Sequence, residues 1–201
     1  MIRNQALFGL CFVLALAGCL GSIAPIADSS ATDDALLGAW RRCRGTKIDI
    51  TRAGAGLKSG GYAMKVTDWE THKAVTYRLL IQRIGDQEFA DAFYAPRDVE
   101  VDEFPTVHVI ALIRHDGNDL LFRPLNVDWW NDEHLEGSGL QVKKIEEYTA
   151  LILGKSSDLR AFLAAHAHDP DVVLGSDKDR NYGRLKRQWA AAEADGCSED
   201  L

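Results

Sequence analysis

Few residues in this chain have the types and spacing that chemistry needs, and each such group also has a structural reading. Gly154-Lys155-Ser156 precedes a helix-forming run, where a phosphate loop would offer backbone N–H groups and a lysine to an anion. The first glycine of that motif would fall at position 149, which is Thr149, and Ala150-Leu151-Ile152-Leu153 reads as an apolar strand. A strand-to-helix turn with Ser157 as N-cap is expected instead. Asp177, Asp179 and Asn181 offer oxygens at alternate positions, as a calcium loop does, but Tyr182 and Gln188 stand where that loop needs Gly and Glu. A solvated polar turn is expected there. His166 and His168, two apart on a helix, face different ways, and His166 is expected to pack on the helix's apolar stripe. His108 shares a strand with Ile110 and Leu112, and His115 adjoins a turn; no zinc-like ligand spacing emerges, so neither metal nor cofactor is expected. Ser138 has no assignable base, and no Gly-x-Ser-x-Gly elbow occurs. Asp98, Glu100, Asp102 and Glu103 read as a solvated edge.

The most open feature is Trp129-Trp130. The run Asp128 to Leu135 reads as a short helical turn capped by Asp128, and adjacent tryptophans in such a turn do not easily enter one core. One is expected to lid the β domain. The other is a candidate recognition anchor, ligand contact or membrane-facing ring, with burial of both as the alternative.

The elements that would position these residues are mostly strands. Tyr62, Met64 and Val66 alternate with polar or small residues, and Val75, Tyr77, Leu79 and Ile81 do the same, so each run has one face in a core. Lys47 to Thr51 gives an earlier strand. Gly85-Asp86 turns the chain into a strand from Glu88 to Tyr94. Residues 106–114 and 119–125 flank His115-Asp116-Gly117-Asn118, a hairpin signal because Gly and Asn tolerate positive φ. Gln141 to Ile145 and Thr149 to Leu153 read as later strands. Leu159, Phe162, Leu163 and His166 mark one helix stopped by Asp169-Pro170, and residues 182–193 are ambiguous between strand and helix. Successive hairpins favour a meander closed into a barrel, or a sandwich. The fold class is mainly β, with Tyr62, Met64, Val66, Val75, Tyr77, Leu79 and Ile81 pointing inward.

The N-terminus carries an address. Arg3 is followed by an uncharged, mostly apolar run from Ala6 to Ala17 and then small residues, the order of a secretory signal and too short for a permanent span. Leu16-Ala17-Gly18-Cys19 resembles the lipobox of bacterial lipoproteins. The resemblance implies a signal peptide over 1–18, cleavage before Cys19, a diacylglycerol on its sulfur and acylation, as with palmitate, of its new amino group. Leu20 in place of Asp implies, by likeness to Gram-negative lipoproteins, an outer-membrane destination facing the periplasm or the cell surface. Residues 19–35 read as a flexible tether and 36–201 as one domain with a C-terminal helix and tail.

Removing 1–18 takes away Arg3 and no acid, so the net charge moves from −7 to −8. That charge excludes nucleic acid as a favoured partner. Cys11 leaves with the signal and Cys19 is the acyl site, so Cys43 and Cys197 remain. In an oxidising compartment the even remainder points to a disulfide, with two free thiols as the alternative.

Leu37-Gly38-Ala39-Trp40-Arg41 is similar to the Gly-x-Trp signature of lipocalins and related calycin barrels, although no second or third lipocalin motif occurs. The resemblance implies an antiparallel barrel with the tryptophan across its closed end and a disulfide tying down the C-terminal tail. Residues 36–188 also resemble small uncharacterised bacterial lipoproteins, a likeness that carries no activity. The reading is a lipid-anchored envelope lipoprotein, first a non-enzymatic module binding a small apolar ligand through Trp129, Trp130 and Tyr77. Second is a structural or interaction protein whose solid barrel docks an envelope protein, and third a hydrolase. Filling of the barrel by its inward residues would remove the basis for the first.

Overall fold

The computed structural model describes residues 19–28, 30–41, 46–54, 60–68, 70–94, 106–146, 149–174 and 183–187. Its strands are β1 (Cys19–Ser22), β2 (Gly38–Arg41), β3 (Lys47–Arg52), β4 (Tyr62–Thr67), β5 (Ala74–Ile84), β6 (Gln87–Tyr94), β7 (His108–Asp116), β8 (Asp119–Pro124), β9 (Gln141–Glu146), β10 (Thr149–Leu153) and β11 (Arg184–Arg187). A short helix, α1 (Asp132–Leu135), precedes β9, and a longer one, α2 (Ser156–His166), follows β10.

Strands β2 to β8 form an antiparallel meander in chain order. Strand β11 pairs with both β8 and β2, and β6 pairs with β7, so eight strands close into an antiparallel barrel, an architecture compatible with the calycin resemblance. The alternation read in β4 and β5 is what the barrel uses. Tyr62, Met64, Val66, Tyr77, Leu79 and Ile81 are buried in its interior, and Val75 is half-buried against that core. Ala90 and Ala92 on β6 and Ala111 on β7 are small, which leaves room in the same core for Trp40, Tyr62, Tyr77 and Phe122.

One end of the barrel is plugged. A 3-10 turn over Asp34–Leu36 drives Leu36 into the core, and the Trp40 indole N–H donates to the Leu36 carbonyl at 2.9 Å. The Arg187 guanidinium lies 5.0 Å over the Trp40 ring and also donates to the Ala35 and Leu37 carbonyls. Trp40 thus stands at a closed end, inside β2. Arg184 joins β11 to the β7–β8 hairpin through Asp119 and Asp116, at 2.6 Å each, and those bonds push its pKa up.

A second core lies outside the barrel. Beyond Leu125, whose amide still donates to the Ile110 carbonyl at 3.3 Å, the chain leaves the edge of β7, and β1 takes that edge at Val109 and His108. Strand β10 then pairs in parallel with β1, and β9 in antiparallel with β10. Helix α2 covers the outer face with Leu159, Phe162 and Leu163 against Phe89, Ile110 and Leu125.

Several expectations are corrected. Residues 19–35 do not form a loose tether: β1 is an internal strand, and Leu20, Ile26, Ala27 and Leu36 are buried. Their apolar side chains find a core, which composition alone does not reveal. Asn131, not Asp128, caps α1, its side-chain oxygen accepting from the Glu133 and His134 amides. Helix α2 begins at Ser156 after Lys155, which makes no side-chain cap, and Ser157 donates instead to Asp158. The ambiguous region contains strand β11. Cys43, Cys197 and the leader over 1–18 lie outside the described residues.

Gly183 enters β11 at φ +70°, its carbonyl accepting from the Phe122 amide at 2.9 Å, and an added Cβ would overlap the Phe122 carbonyl. Gly183→Ala is expected to cost at least ~1–3 kcal/mol in urea unfolding. Gly117→Ala, at φ +61° with open space around it, should cost about 1 kcal/mol.

Candidate functional site

Three places could carry function: the barrel interior at Tyr77, the tryptophan pair, and a polar cluster beneath the N-terminal segment.

Tyr77 lies opposite Met64 and Tyr94 on its neighbouring strands, away from the plugged end. Its ring meets Tyr94 edge-on at 6.2 Å. The side chain is 1 % exposed, and its hydroxyl has no hydrogen-bond partner among the described residues. Burial, with a smaller contribution from Tyr94, pushes its pKa up from 10.0 to about 12. A buried hydroxyl without a partner is costly, so this is the polar blemish in an otherwise apolar barrel.

Trp129 and Trp130 are both buried, and both belong to the outer core rather than to the barrel. The expectation that one lids the barrel is therefore corrected, and neither ring shares a core with Tyr77. Residues 127–129 form a turn in which the Asn126 carbonyl accepts from both the Trp129 and Trp130 amides. Such a turn directs consecutive side chains into one core, which neither helix nor strand would. The rings stand edge-on at 6.1 Å, and the Trp130 indole N–H donates to the Val172 carbonyl at 3.1 Å. His134 stacks on Trp129 at 4.3 Å, and the half-buried His166 meets Trp129 and Phe162 at 5.3 and 4.5 Å. His166 thus packs as expected, though on the outer core.

The third place was not anticipated. Asp91 is 0 % exposed on the outward face of β6. One carboxylate oxygen lies 2.6 Å from His108 Nδ1. The other accepts from the backbone amides of Ile26 and Ala27 at 2.9 and 3.4 Å. Ser22 is aligned with His108 across the β1–β7 pair. These are the residue types of a nucleophile, a base and an orienting acid. The Ser22 hydroxyl, however, donates to the Ala24 carbonyl and accepts from the Ala24 amide, and the residue is wholly buried. The cluster is a latch for the N-terminal segment. Its sequence signal is an acid inside Phe89-Ala90-Asp91-Ala92-Phe93, where an apolar strand core is otherwise unbroken.

Other candidates fall where turns would put them. Gly154-Lys155-Ser156 is the β10–α2 connection, and the backbone of Cys19 opens β1. Among the described residues no three His, Cys, Asp or Glu side chains gather to hold a metal, and no helix is long and apolar enough to cross a membrane. The polar turn expected over residues 177–182 lies outside the described residues.

No protein-family model, no curated protein and no solved structure matches this chain.

Asp91→Ala leaves two amides and His108 without their acceptor, so it should cost about 3–5 kcal/mol, and hydrogen exchange should speed up at Ile26 and Ala27 first. Tyr77→Phe should be neutral or stabilising at pH 7, since it deletes an unpartnered polar atom. In the wild type, stability should be full below pH 10 and fall as pH rises toward 12, because the unfolded phenol ionises first. The loss amounts to roughly 2–3 kcal/mol by the shift in pKa, and Tyr77→Phe should remove that part of the alkaline transition.

Proposed function

We propose that the protein is a lipid-anchored envelope protein that works by docking rather than by catalysis. In this reading residues 1–18 are a cleaved leader, Cys19 carries the lipid, and Leu20 directs the product to the outer membrane. Cys43 and Cys197 are then joined by a disulfide in the oxidising envelope, and the barrel is a solid scaffold whose exterior meets an envelope protein.

One observation carries the choice of a docking role over a ligand carrier. Six of the seven residues expected to point inward pack with Trp40, Ile113 and Phe122 into one continuous buried core. A barrel that holds a small ligand needs that volume for its guest. The tryptophans proposed as ligand contacts are likewise committed to packing. A second reading, a small ligand with one polar atom held near Tyr77, is favoured by the unpartnered hydroxyl there.

Cys19→Ala should abolish membrane fractionation; unchanged anchoring would reject the lipid. Native mass spectrometry of the anchored protein, extracted in mild detergent, should show the acylated chain without a stoichiometric metabolite. A one-to-one small molecule lost in Tyr77→Phe would reject the solid scaffold and install the ligand reading.

A further inference from the structure

A lipid anchor leaves its domain free to tumble only if loose chain lies between them, and this fold leaves none. The residues after Cys19 are fastened one after another. The Ile23 amide donates to the Ile152 carbonyl at 3.2 Å. Asp91 holds Ile26 and Ala27, and Arg160 of α2 reaches the Ile26 carbonyl and the Asp28 carboxylate. The Ser30 hydroxyl accepts from the Ile81 amide, and the Ala31 amide donates to the Ile81 carbonyl. The segment crosses β7, β6 and β5 as a strap before it enters the plug of the barrel.

We infer that one surface of the domain is seated on the bilayer: the end of the β1–β10–β9 sheet beside Cys19. This rests on acylation of Cys19. The Cys19 backbone is aligned with Thr149, the first residue of β10, and Thr149 with Glu146, the last of β9, so three strand ends come together there. Strands lie ~4.8 Å apart, which puts the β9 backbone about 10 Å from Cys19. Strand β9 is the sheet's edge, and its Ile145 is 51 % exposed, the most exposed large apolar side chain among the described residues. Beside it Lys143 and Lys144 are exposed. An aliphatic side chain suits the headgroup boundary, and lysine stems lie along it with their ammonium groups in the phosphate layer. The chain as a whole is acidic, so the covalent lipid and Ile145 hold the contact rather than net charge.

The same register sets which way the barrel points. Strand β1 is antiparallel to β7, with Gly21 opposite Val109 and Ser22 opposite His108. The Cys19 end of β1 therefore points the way β7 runs toward Asp116, the end where His115 meets Asp33 of the plug at 2.8 Å. The plugged end lies on the bilayer side. Tyr77, Tyr94 and the β4–β5 turn face away from the membrane.

Photocrosslinking tests the seat. Mature acylated protein with Ile145→p-benzoylphenylalanine, or with the same residue at the exposed Glu70 of the β4–β5 turn, is reconstituted in vesicles of phosphatidylethanolamine and phosphatidylglycerol and irradiated. Position 145 should give several-fold more lipid adduct than position 70. A flexible Gly/Ser insertion between Cys19 and Leu20 should bring position 145 down to the level of position 70. Equal adducts from the two positions in the uninserted protein, or adducts at 145 that survive the insertion, would overturn the seat. If the protein still floats with the vesicles in those cases, the anchor itself stands. An intact mass without acyl chains at Cys19, or flotation of Cys19→Ala, would instead overturn the anchoring reading beneath it.

Discussion

The structure depends on how the backbone of β7 is satisfied. A buried strand cannot leave a row of N–H and C=O groups without partners. On one side β6 pairs with β7 from Phe93–His108 to Glu88–Ile113. On the other side β8 pairs as far as Ala111–Pro124, and the Leu125 amide adds one last bond to the Ile110 carbonyl at 3.3 Å before the chain turns away to meet Val172, Val173 and Leu174. The vacated edge at His108 and Val109 is filled by β1. From that one substitution come the β1–β10–β9 sheet, the outer core and the docking of the N-terminal segment.

Strand β7 consequently has core on both faces. Val109, Ala111 and Ile113 face the barrel, whereas Ile110 and the half-buried Leu112 face α2. The outer core is mostly apolar, but the strap that crosses it brings backbone amides into a dry place. Asp91 and the Ser22 hydroxyl meet those amides, as buried polar groups require. The polar cluster and the strand exchange beyond Leu125 are thus two parts of one solution.

How much of this was legible in the sequence follows from periodicity. Strands β4 and β5 have one face in a core, so alternation marks both their existence and their inward residues. The hairpin at Gly117 and the turn at Gly85 were legible because only a few residues accept φ near +60° there. Strand β11 was not: Arg184-Leu185-Lys186-Arg187 has one buried side chain, and it is a strand because β2 and β8 flank it. Strand β1 was hidden by its small residues, of which Gly21 lies against Val107 and Leu151 with no space for a Cβ. Burial of both Trp129 and Trp130 was weighed beside exposure of one, and the sequence could not decide because a turn, with no period of its own, sends both into the same core. Asp91 needed the strap that covers it, and a long-range contact leaves no local signature. Cys43, Cys197 and residues 1–18 lie outside the described residues.

The barrel's last stave has a temporal consequence. Arg187 of β11 bonds the Leu37 carbonyl across 150 residues of chain, and β2 stays without its second neighbour until β11 arrives. Closure must await residue 187, and bringing such distant segments together is slow because loop entropy is spent before the contacts form. A chain with this wiring emerges from synthesis unable to lock, and its barrel stays open until its last stave is made. For a chain exported as proposed above, that open interval would be the window for translocation.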